Sequence, residues 1–437
     1  MLNIVVIGTG YVGLVSGACF SELGNKVVCV DKAADKIEAL EKGGIPIYEP
    51  GLEKIVFKNV KEGLLTFSLS LKEAIAEADI VFLAVGTPTD EKDGSADLSY
   101  VYAAAKEIAE LATSDLVVVT KSTVPVGTGE QLDEIFKKHR PELTFHLCSN
   151  PEFLREGSAV EDFMYPDRIA IGTESAHAVT LMKQLYQPLT EKGAPLLVSN
   201  IKTAELLKYA ANAFLATKLA FVNEMADLCE QVDADIVAVT RGMGLDKRIG
   251  ETYLNTGPGY GGSCLPKDTN ALAYIAKQAS SPSTIVETVI KSNDARKLNM
   301  VKKITNAVKG GVANKKIAIL GLTFKANTDD MRYSVSLDVV PALLKQNADV
   351  YVYDPVGMKE AKKWLPADKL TWCNDLDEVL TDADVAVILT EWDEFKAMDI
   401  KHLKGLMKQA SIVDLRNLFD PKTIRDFDVE YISIGRA

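Results

Sequence analysis

The stretch that most limits what this chain can fold into is its first thirty-one residues. Asn3-Ile4-Val5-Val6-Ile7 runs straight into Gly8-Thr9-Gly10-Tyr11-Val12-Gly13, and a helical pattern follows to about Leu23. Lys26-Val27-Val28-Cys29-Val30 then reads as a second buried strand ending at Asp31. Strand, glycine turn, helix, strand and acid, in that order, make a dinucleotide-binding βαβ unit. Gly8 permits the tight turn, Gly10 lets the backbone approach a pyrophosphate, and Gly13 lets the helix pack on the strand. The opening of the helix at Tyr11 and Val12 offers N–H groups and a positive dipole end to phosphate. Asp31 lies eighteen residues after Gly13, where a carboxylate accepts from ribose hydroxyls and repels a 2′-phosphate. NAD is therefore expected rather than NADP.

The same rhythm continues. Ala78–Val85 is a strand entering Gly86-Thr87-Pro88-Thr89, so Thr87 and Pro88 are expected to face the cofactor beyond the strand's carboxyl end. The loop from Asp90 to Asp97 is acidic and reads as a solvated face. Leu116–Thr120 is a further strand, and Lys121-Ser122-Thr123-Val124-Pro125-Val126-Gly127 opens the next helix. Thr123 is a candidate site hydroxyl or an N-cap, and the two roles are compatible. A strand near 145 delivers Asn150-Pro151-Glu152, which places Glu152 well for a general base.

From about Lys202 to Glu230 one long apolar, alanine-rich helix is expected, suited to a spine between domains and to a dimer interface. Lys208 and Asn212 sit four apart on it and share a face. Four glycines at 257, 259, 261 and 262 then lead to Cys264, with Lys267 and Asp268 behind it. A thiol flanked by a cation and a carboxylate is the setting of an activated nucleophile. A second long helix runs from about Pro282 to Val308, and after Lys309-Gly310-Gly311 the strand series returns. Residues 315–321 echo 3–8, 349–354 echo 26–31, 383–390 echo 78–85, and 411–416 echo the strand at 116. The second series has Gly321-Leu322-Thr323-Phe324-Lys325 in place of the fingerprint. A second dinucleotide site is not expected there; a nucleotide held through Lys325 fits better.

These readings give an α/β chain of two Rossmann-like doubly wound domains, joined by a long central helix and an all-helical middle region. The 437 residues exceed one hydrophobic core. The expected domains are 1–200, binding NAD; 201–310, with the spine, the cysteine loop and the dimer interface; and 311–437, binding the substrate nucleotide. A net charge of -12 argues against a nucleic-acid or anionic-membrane surface. Six scattered cysteines and four unclustered histidines point away from disulfides and metal and toward a reducing compartment. With no basic apolar leader and no apolar run near ~20 residues, a cytoplasmic location is expected.

Together the motifs resemble the nucleotide-sugar dehydrogenases of the UDP-glucose/GDP-mannose dehydrogenase family. The matching segments are Gly8-x-Gly10-x-x-Gly13 with Asp31, Gly86-Thr87-Pro88, Ser122–Pro125, Asn150–Gly157, Lys208 with Asn212, Gly261–Asp268 and Gly321–Lys325, in order over the whole chain. The resemblance implies that Cys264 is the nucleophile and Glu152 the hydrolytic base. Lys208, Asn212, Asp268 and Thr123 would surround the reacting carbon and a water. Phe153, Leu154, Arg155 and Glu156 would contact the sugar nucleotide, Glu156 approaching the nicotinamide as well. Tyr253, Tyr260, Gly261, Leu265, Phe324 and Lys325 would complete the substrate contacts, with Arg416 a weaker candidate. Lys36, Lys267 and Arg332 would assist the cofactor, and Arg248 would reach the partner's site in a homodimer.

The chemistry accounts for this inventory. Oxidising a primary alcohol to an acid removes four electrons, so two NAD are reduced, and the intermediate aldehyde gives a hydride only after a thiolate has added to it. The thioester that results is cleaved by water. An unperturbed thiol titrates at ~8.5, and Lys267 or Lys208 nearby would lower that. Lys208, or Asp268 through a water, would take the first alcohol proton. Three rivals remain: a two-electron hydroxyacid dehydrogenase, the same chemistry on GDP-mannose or a UDP-N-acetylhexosamine, and a non-catalytic NAD sensor. The first has no use for Cys264. The Phe153–Gly157 loop and the Tyr165–Gly172 stretch favour UDP-glucose over the second. The third leaves Cys264, Glu152, Lys208, Asn212 and Asp268 without a task.

Overall fold

Short apolar runs rich in valine and isoleucine form the strands, because a parallel strand covered on both faces is buried along its whole length. The computed structural model describes residues 1–90 and 94–436; the centre of the acidic loop expected to be solvated lies outside them. The first sheet holds β1 (Asn3–Ile7), β2 (Lys26–Val30), β3 (Leu65–Ser68), β4 (Ile80–Leu83), β5 (Leu116–Thr120), β6 (Phe145–Ser149), β7 (Ile169–Gly172) and β8 (Leu196–Ser199). Their order is β3-β2-β1-β4-β5-β6-β7-β8. All neighbours are parallel except β6 and β7, which meet antiparallel at Ser149 and Gly172.

Alternate residues feed opposite cores. Ile4, Val6, Phe82, Val117 and Val119 join Phe20, Phe163 and Tyr186 on one face. Val5, Ile7, Val81, Leu83 and Val118 join Ile108, Leu132 and Phe136 on the other. β3, β7 and β8 are not among the strands expected from the sequence. β8 lies at the sheet edge with Leu197 and Val198 exposed, so its apolar pattern carries little burial signal.

The second sheet holds β9 (Lys316–Leu320), β10 (Asp349–Tyr353), β11 (Thr371–Trp372), β12 (Val385–Ile388), β13 (Ser411–Asp414) and β14 (Glu430–Ser433). It is parallel throughout, in the order β11-β10-β9-β12-β13-β14. That is the 3-2-1-4-5-6 arrangement of a doubly wound fold, with its switch point between β9 and β12. The first six strands of the other sheet have the same order, with their switch point between β1 and β4.

The chain separates into two compact units. One comprises Met1–Ala211 with Tyr274–Ser281, the other Asn212–Ala273 with Pro282–Ala437. The spine is a helix of 32 residues, Ile201–Val232, about 48 Å long at 1.5 Å per residue. Helices Leu265–Gln278 and Thr284–Ala307 follow it. Among the described residues none of the six cysteines is in a disulfide, no cluster of metal-ligating side chains occurs, and no helix is long and apolar enough to cross a membrane.

Candidate functional site

The first switch point, between β1 and β4, is where a doubly wound fold offers a ligand crevice. Gly8 has φ +102°, and a Cβ there would lie 2.6 Å from the Ala84 carbonyl oxygen. A Cβ on Gly13 would lie 1.9 Å from the Gly8 carbonyl oxygen. The chain's own packing demands both glycines. Gly10 is different: a Cβ there meets nothing within 4 Å, which is the open space a pyrophosphate needs. Gly10 is also the N-cap of helix Tyr11–Glu22 and has no side chain to cap it, so the helix end is left to an anion.

The Asp31 carboxylate accepts from the Thr9 N–H at 2.8 Å, the Thr9 hydroxyl at 2.7 Å and the Ala33 N–H at 3.0 Å. Burial works against its charge, but these bonds and Lys36 outweigh burial and hold the carboxyl below its usual range. The half-exposed anion fits a ribose diol. Thr87 and Thr123 are brought together, the Thr87 hydroxyl donating to the Thr123 carbonyl at 3.0 Å, while Pro88 is exposed.

Tyr11 does more than open a helix. Its hydroxyl donates to Glu49, and the Gly157 N–H donates to Glu49 Oε2 at 2.7 Å and to the Tyr11 oxygen at 3.0 Å. Glu49 Oε1 accepts from the Ala159 N–H at 2.7 Å. Burial first, and Glu49 second, push the Tyr11 phenol far up, so it remains a neutral donor. The fingerprint is thereby tied to the Glu152–Gly157 loop. Glu49 sits in a turn-rich segment, and its role has no local sequence signal because its partners lie 38 to 110 residues away.

Glu152 is 6% exposed and Lys208 3%. Lys208 Nζ donates to Glu152 Oε1 at 2.9 Å, and the Leu154 N–H donates to Oε2 at 2.6 Å. Burial disfavours the Glu152 charge, yet Lys208, Leu154 and Lys121 together hold it below the ordinary carboxylate value. A buried, ionised carboxylate is competent to take a proton from water. Phe153 lies beside two cations: the Arg168 guanidinium is 3.6 Å from its ring centroid and Lys208 Nζ is 5.5 Å away. Glu156 is buried, and Arg155 is exposed and forked onto Asp162 at 2.6 Å.

In the second unit Cys264 is half-buried and stands at the start of helix Leu265–Gln278, its carbonyl accepting the Asp268 N–H at 2.9 Å. The positive end of that helix favours a thiolate. Asp268 is 1% exposed. Its Oδ2 accepts from Asn212 Nδ2 at 2.6 Å and its Oδ1 from Lys267 Nζ at 2.7 Å. Asn212, Asp268 and Lys267 thus form one chain of hydrogen bonds beside the thiol's helix.

Two of the glycines ahead of the cysteine are explained by the chain's own packing. A Cβ on Gly261 would lie 2.4 Å from the Tyr333 carbonyl oxygen, and one on Gly262 (φ +82°) 2.6 Å from the Phe324 ring. The close approach is to the chain itself, reinforced by the Gly262 N–H donating to the Arg332 carbonyl at 2.8 Å. Tyr260 is clamped at both backbone groups by Asn293, at 2.8 and 3.1 Å, and burial pushes its phenol up to about 12. Leu265 packs on the cluster of Ala216, Ala220, Tyr260 and Val289.

The second switch point is built differently from the first. Asp354 matches Asp31 in position but is 1% exposed. It accepts from the N–H groups of Leu322, Val356 and Gly357 at 2.7, 3.0 and 2.7 Å and from the Trp392 indole at 3.2 Å. Its bonding capacity is used up inside the fold, and no ribose is served. What remains accessible is Phe324 and Lys325, both half-buried, and Arg416. The Arg416 guanidinium donates to the Leu389 and Phe324 carbonyls at 2.7 and 2.9 Å and pairs with Glu391 at 3.0 Å. Arg332 and Arg248 are exposed and paired with Asp330 and Asp246. Tyr253 is half-buried at φ +61°.

Family models match the chain in three consecutive segments: the NAD binding domain of the UDP-glucose/GDP-mannose dehydrogenase family over residues 2–190, its central domain over 202–295, and its UDP binding domain over 318–421. The chain is 51% identical to a UDP-glucose 6-dehydrogenase of Rhizobium meliloti (strain 1021), covering 100% of both chains. It is 47% identical to one from Bacillus subtilis (strain 168), over 100% of this chain and 94% of that one. A solved UDP-glucose dehydrogenase of Pyrobaculum islandicum superposes with a TM-score of 0.92 at 38% identity, covering 100% of this chain and 98% of that one. The chain belongs to the UDP-glucose/GDP-mannose dehydrogenase family.

Proposed function

We propose that the chain oxidises UDP-glucose to UDP-glucuronate in four electrons through a thiohemiacetal and a thioester on Cys264. The observation that carries the four-electron reading is Cys264 itself, half-buried at a helix N-terminus beside the Asn212–Asp268–Lys267 bonds. A two-electron alcohol dehydrogenase has no use for it. The sugar is taken from the full-length relatives that act on UDP-glucose; GDP-mannose and UDP-N-acetylhexosamines are the alternatives.

Gly8, Gly10, Tyr11, Val12, Gly13, Asp31, Thr87 and Glu156 hold the NAD, with Lys36, Pro88, Lys267 and Arg332 assisting. When bound, NAD accepts a hydride in each oxidation. Lys208, or Asp268 through a water, takes the alcohol proton as C6 becomes an aldehyde. The Cys264 thiolate adds to that carbonyl, and Lys208 and Asn212 donate to the oxyanion. Loss of a second hydride from C6 leaves the thioester. Glu152 then removes a proton from water, the hydroxide adds at the carbonyl, and the C–S bond breaks to return the thiolate and release the acid. Thr123 steadies the reacting groups. Phe153, Leu154, Arg155, Tyr253, Tyr260, Gly261, Leu265, Phe324, Lys325 and Arg416 hold the nucleotide sugar, within a division of labour at 1–200, 201–310 and 311–437.

The active form in this reading is a homodimer through the central helices, with Arg248 serving the partner's site. Phe214, Phe221 and Leu228 repeat every seventh position of the spine and are 66%, 47% and 51% exposed, an apolar stripe that suits a second copy. The setting is the cytoplasm, where a nucleophilic thiol stays reduced.

The test is the number of NADH formed per UDP-glucose consumed. About two are expected from the wild type, and no turnover from Cys264→Ala. A ratio of one, or an active alanine variant, overturns the covalent route. Activity confined to another nucleotide sugar overturns only the substrate.

A further inference from the structure

Lys121 enters the core at the end of β5 and is 4% exposed. Among the described residues it has no ion-pair partner; its ammonium donates to Asn150 Oδ1 at 3.0 Å and to the Tyr186 hydroxyl at 3.4 Å, with the Phe163 ring centroid 5.9 Å away. A cation buried without a carboxylate contact is costly to the fold, so its surroundings deserve an explanation in terms of the reaction. Asn150 is fully engaged. Its Oδ1 also accepts from the Tyr186 hydroxyl at 2.6 Å, its Nδ2 donates to the Ala170 carbonyl at 2.7 Å, and its backbone N–H donates to the Thr120 carbonyl at 2.9 Å. Pro151, with its fixed φ, is all that separates Asn150 from Glu152. The bonds on Asn150 therefore fix the backbone turn from which Glu152 projects.

We propose that Lys121 is a positioning residue for thioester hydrolysis, anchoring the Asn150-Pro151-Glu152 turn and placing a second positive charge beside Glu152. The proposal rests on Glu152 being the hydrolytic base. Lys208 is bonded to Glu152 but is also needed by the oxyanion. As Lys208 is drawn toward that charge, Lys121 stays fixed and keeps Glu152 ionised until it accepts the proton of water. The charged groups facing Glu152 are Lys208 from the spine helix and Lys121 from the end of β5. Cys148 on β6 and Cys19 on helix Tyr11–Glu22 face Lys121, and burial pushes both thiols up, Cys148 to about 12, so they stay neutral. Burial also lowers the Lys121 ammonium to about 8 despite the opposing pull of Glu152, so it is charged across the acid limb. Removing it raises the titration point of Glu152 and shifts that limb to higher pH.

The test is rapid mixing of UDP-glucose and NAD with wild type, Lys121→Met, Lys121→Arg and Glu152→Gln. For Lys121→Met, kcat should fall about tenfold and KM for UDP-glucose should stay within about twofold. The acid limb should rise by about one pH unit, and an NADH burst should precede a slowed steady state as thioester accumulates. Lys121→Arg should return the acid limb to its wild-type position. Lys121→Met with an unmoved acid limb overturns the proposal, whatever its kcat. If Glu152→Gln shows no burst, the base assignment itself fails; if it bursts while Lys121→Met behaves as wild type, only the Lys121 proposal fails. Should Lys121→Met not fold, Tyr186→Phe, which removes one bond to Asn150, should give the same burst, and a wild-type time course overturns the proposal.

Discussion

Three carboxyl groups show how differently one side chain is used within a single unit. Asp31 and Glu152 are held ionised by donors. Glu205 is not: burial raises it from 4.5 to about 7, although the Gly127 and Gly129 N–H groups donate to it at 2.7 and 2.9 Å. Glu130 adds to the rise and Lys202 opposes it. Between the two values the folded protein binds a proton that the unfolded chain releases. The stabilisation is complete below 4.5 and is lost as the pH rises through about 7. The melting temperature of the wild type relative to Glu205→Gln should therefore be highest near pH 5 and fall by several degrees by about pH 8. A difference that stays constant over that range would refute the titration of Glu205. The groove of about 600 Å³ bordered by Glu205, Gly127, His146 and Glu174 contains none of the residues assigned to the reaction.

At the level of elements, the fingerprint separates glycines needed for packing from one, Gly10, that the packing leaves open. Gly13→Ala pushes a methyl into the Gly8 carbonyl and should destabilise the fold. Gly10→Ala enters open space and should leave the melting temperature nearly unchanged while weakening NAD binding at least about tenfold, or ~1.4 kcal/mol. Calorimetric titration with NAD and thermal unfolding check both, and unimpaired binding by Gly10→Ala would sink the pyrophosphate assignment. Much of this architecture is legible because its signals are local. β1, the helix Tyr11–Glu22, β2 and Asp31 fall within one window, and their echo at β9 and β10 repeats it. The Cys264 segment and the spine helix are equally contiguous. What escapes is assembled from distant parts. Lys121 is named only as the opening of a helix, because its task depends on Asn150 and Tyr186, and Glu49 gains meaning only from Gly157 and Ala159. The glycines at 261 and 262 show that composition announces a close approach without saying to what: the neighbours are Tyr333 and Phe324, sixty or more residues on.

For the molecule as a whole, the prediction that follows from the proposed homodimer is functional complementation. Phe214, Phe221 and Leu228 lie on one stripe of the spine, and their exposure leaves apolar area that a second spine would cover. Arg248 is fully outside the core, its guanidinium held by Asp246 at 2.6 Å, and so is presented to solvent or to a partner. If Arg248 completes the partner's site, Arg248→Ala and Cys264→Ala should each be inactive alone. A mixed dimer pairs an intact Cys264 on one subunit with an intact Arg248 on the other, and so restores one of its two sites. Statistical exchange makes half of the dimers mixed, so an equimolar mixture should recover roughly a quarter of wild-type activity. Phe221→Glu, introduced into both variants, places a charge in the stripe; it should abolish the recovery and shift the sedimentation coefficient to that of a monomer. No recovery from a mixture shown to exchange subunits would remove Arg248 from the partner's site. Recovery that survives Phe221→Glu with an unchanged sedimentation coefficient would move the dimer interface off the spine.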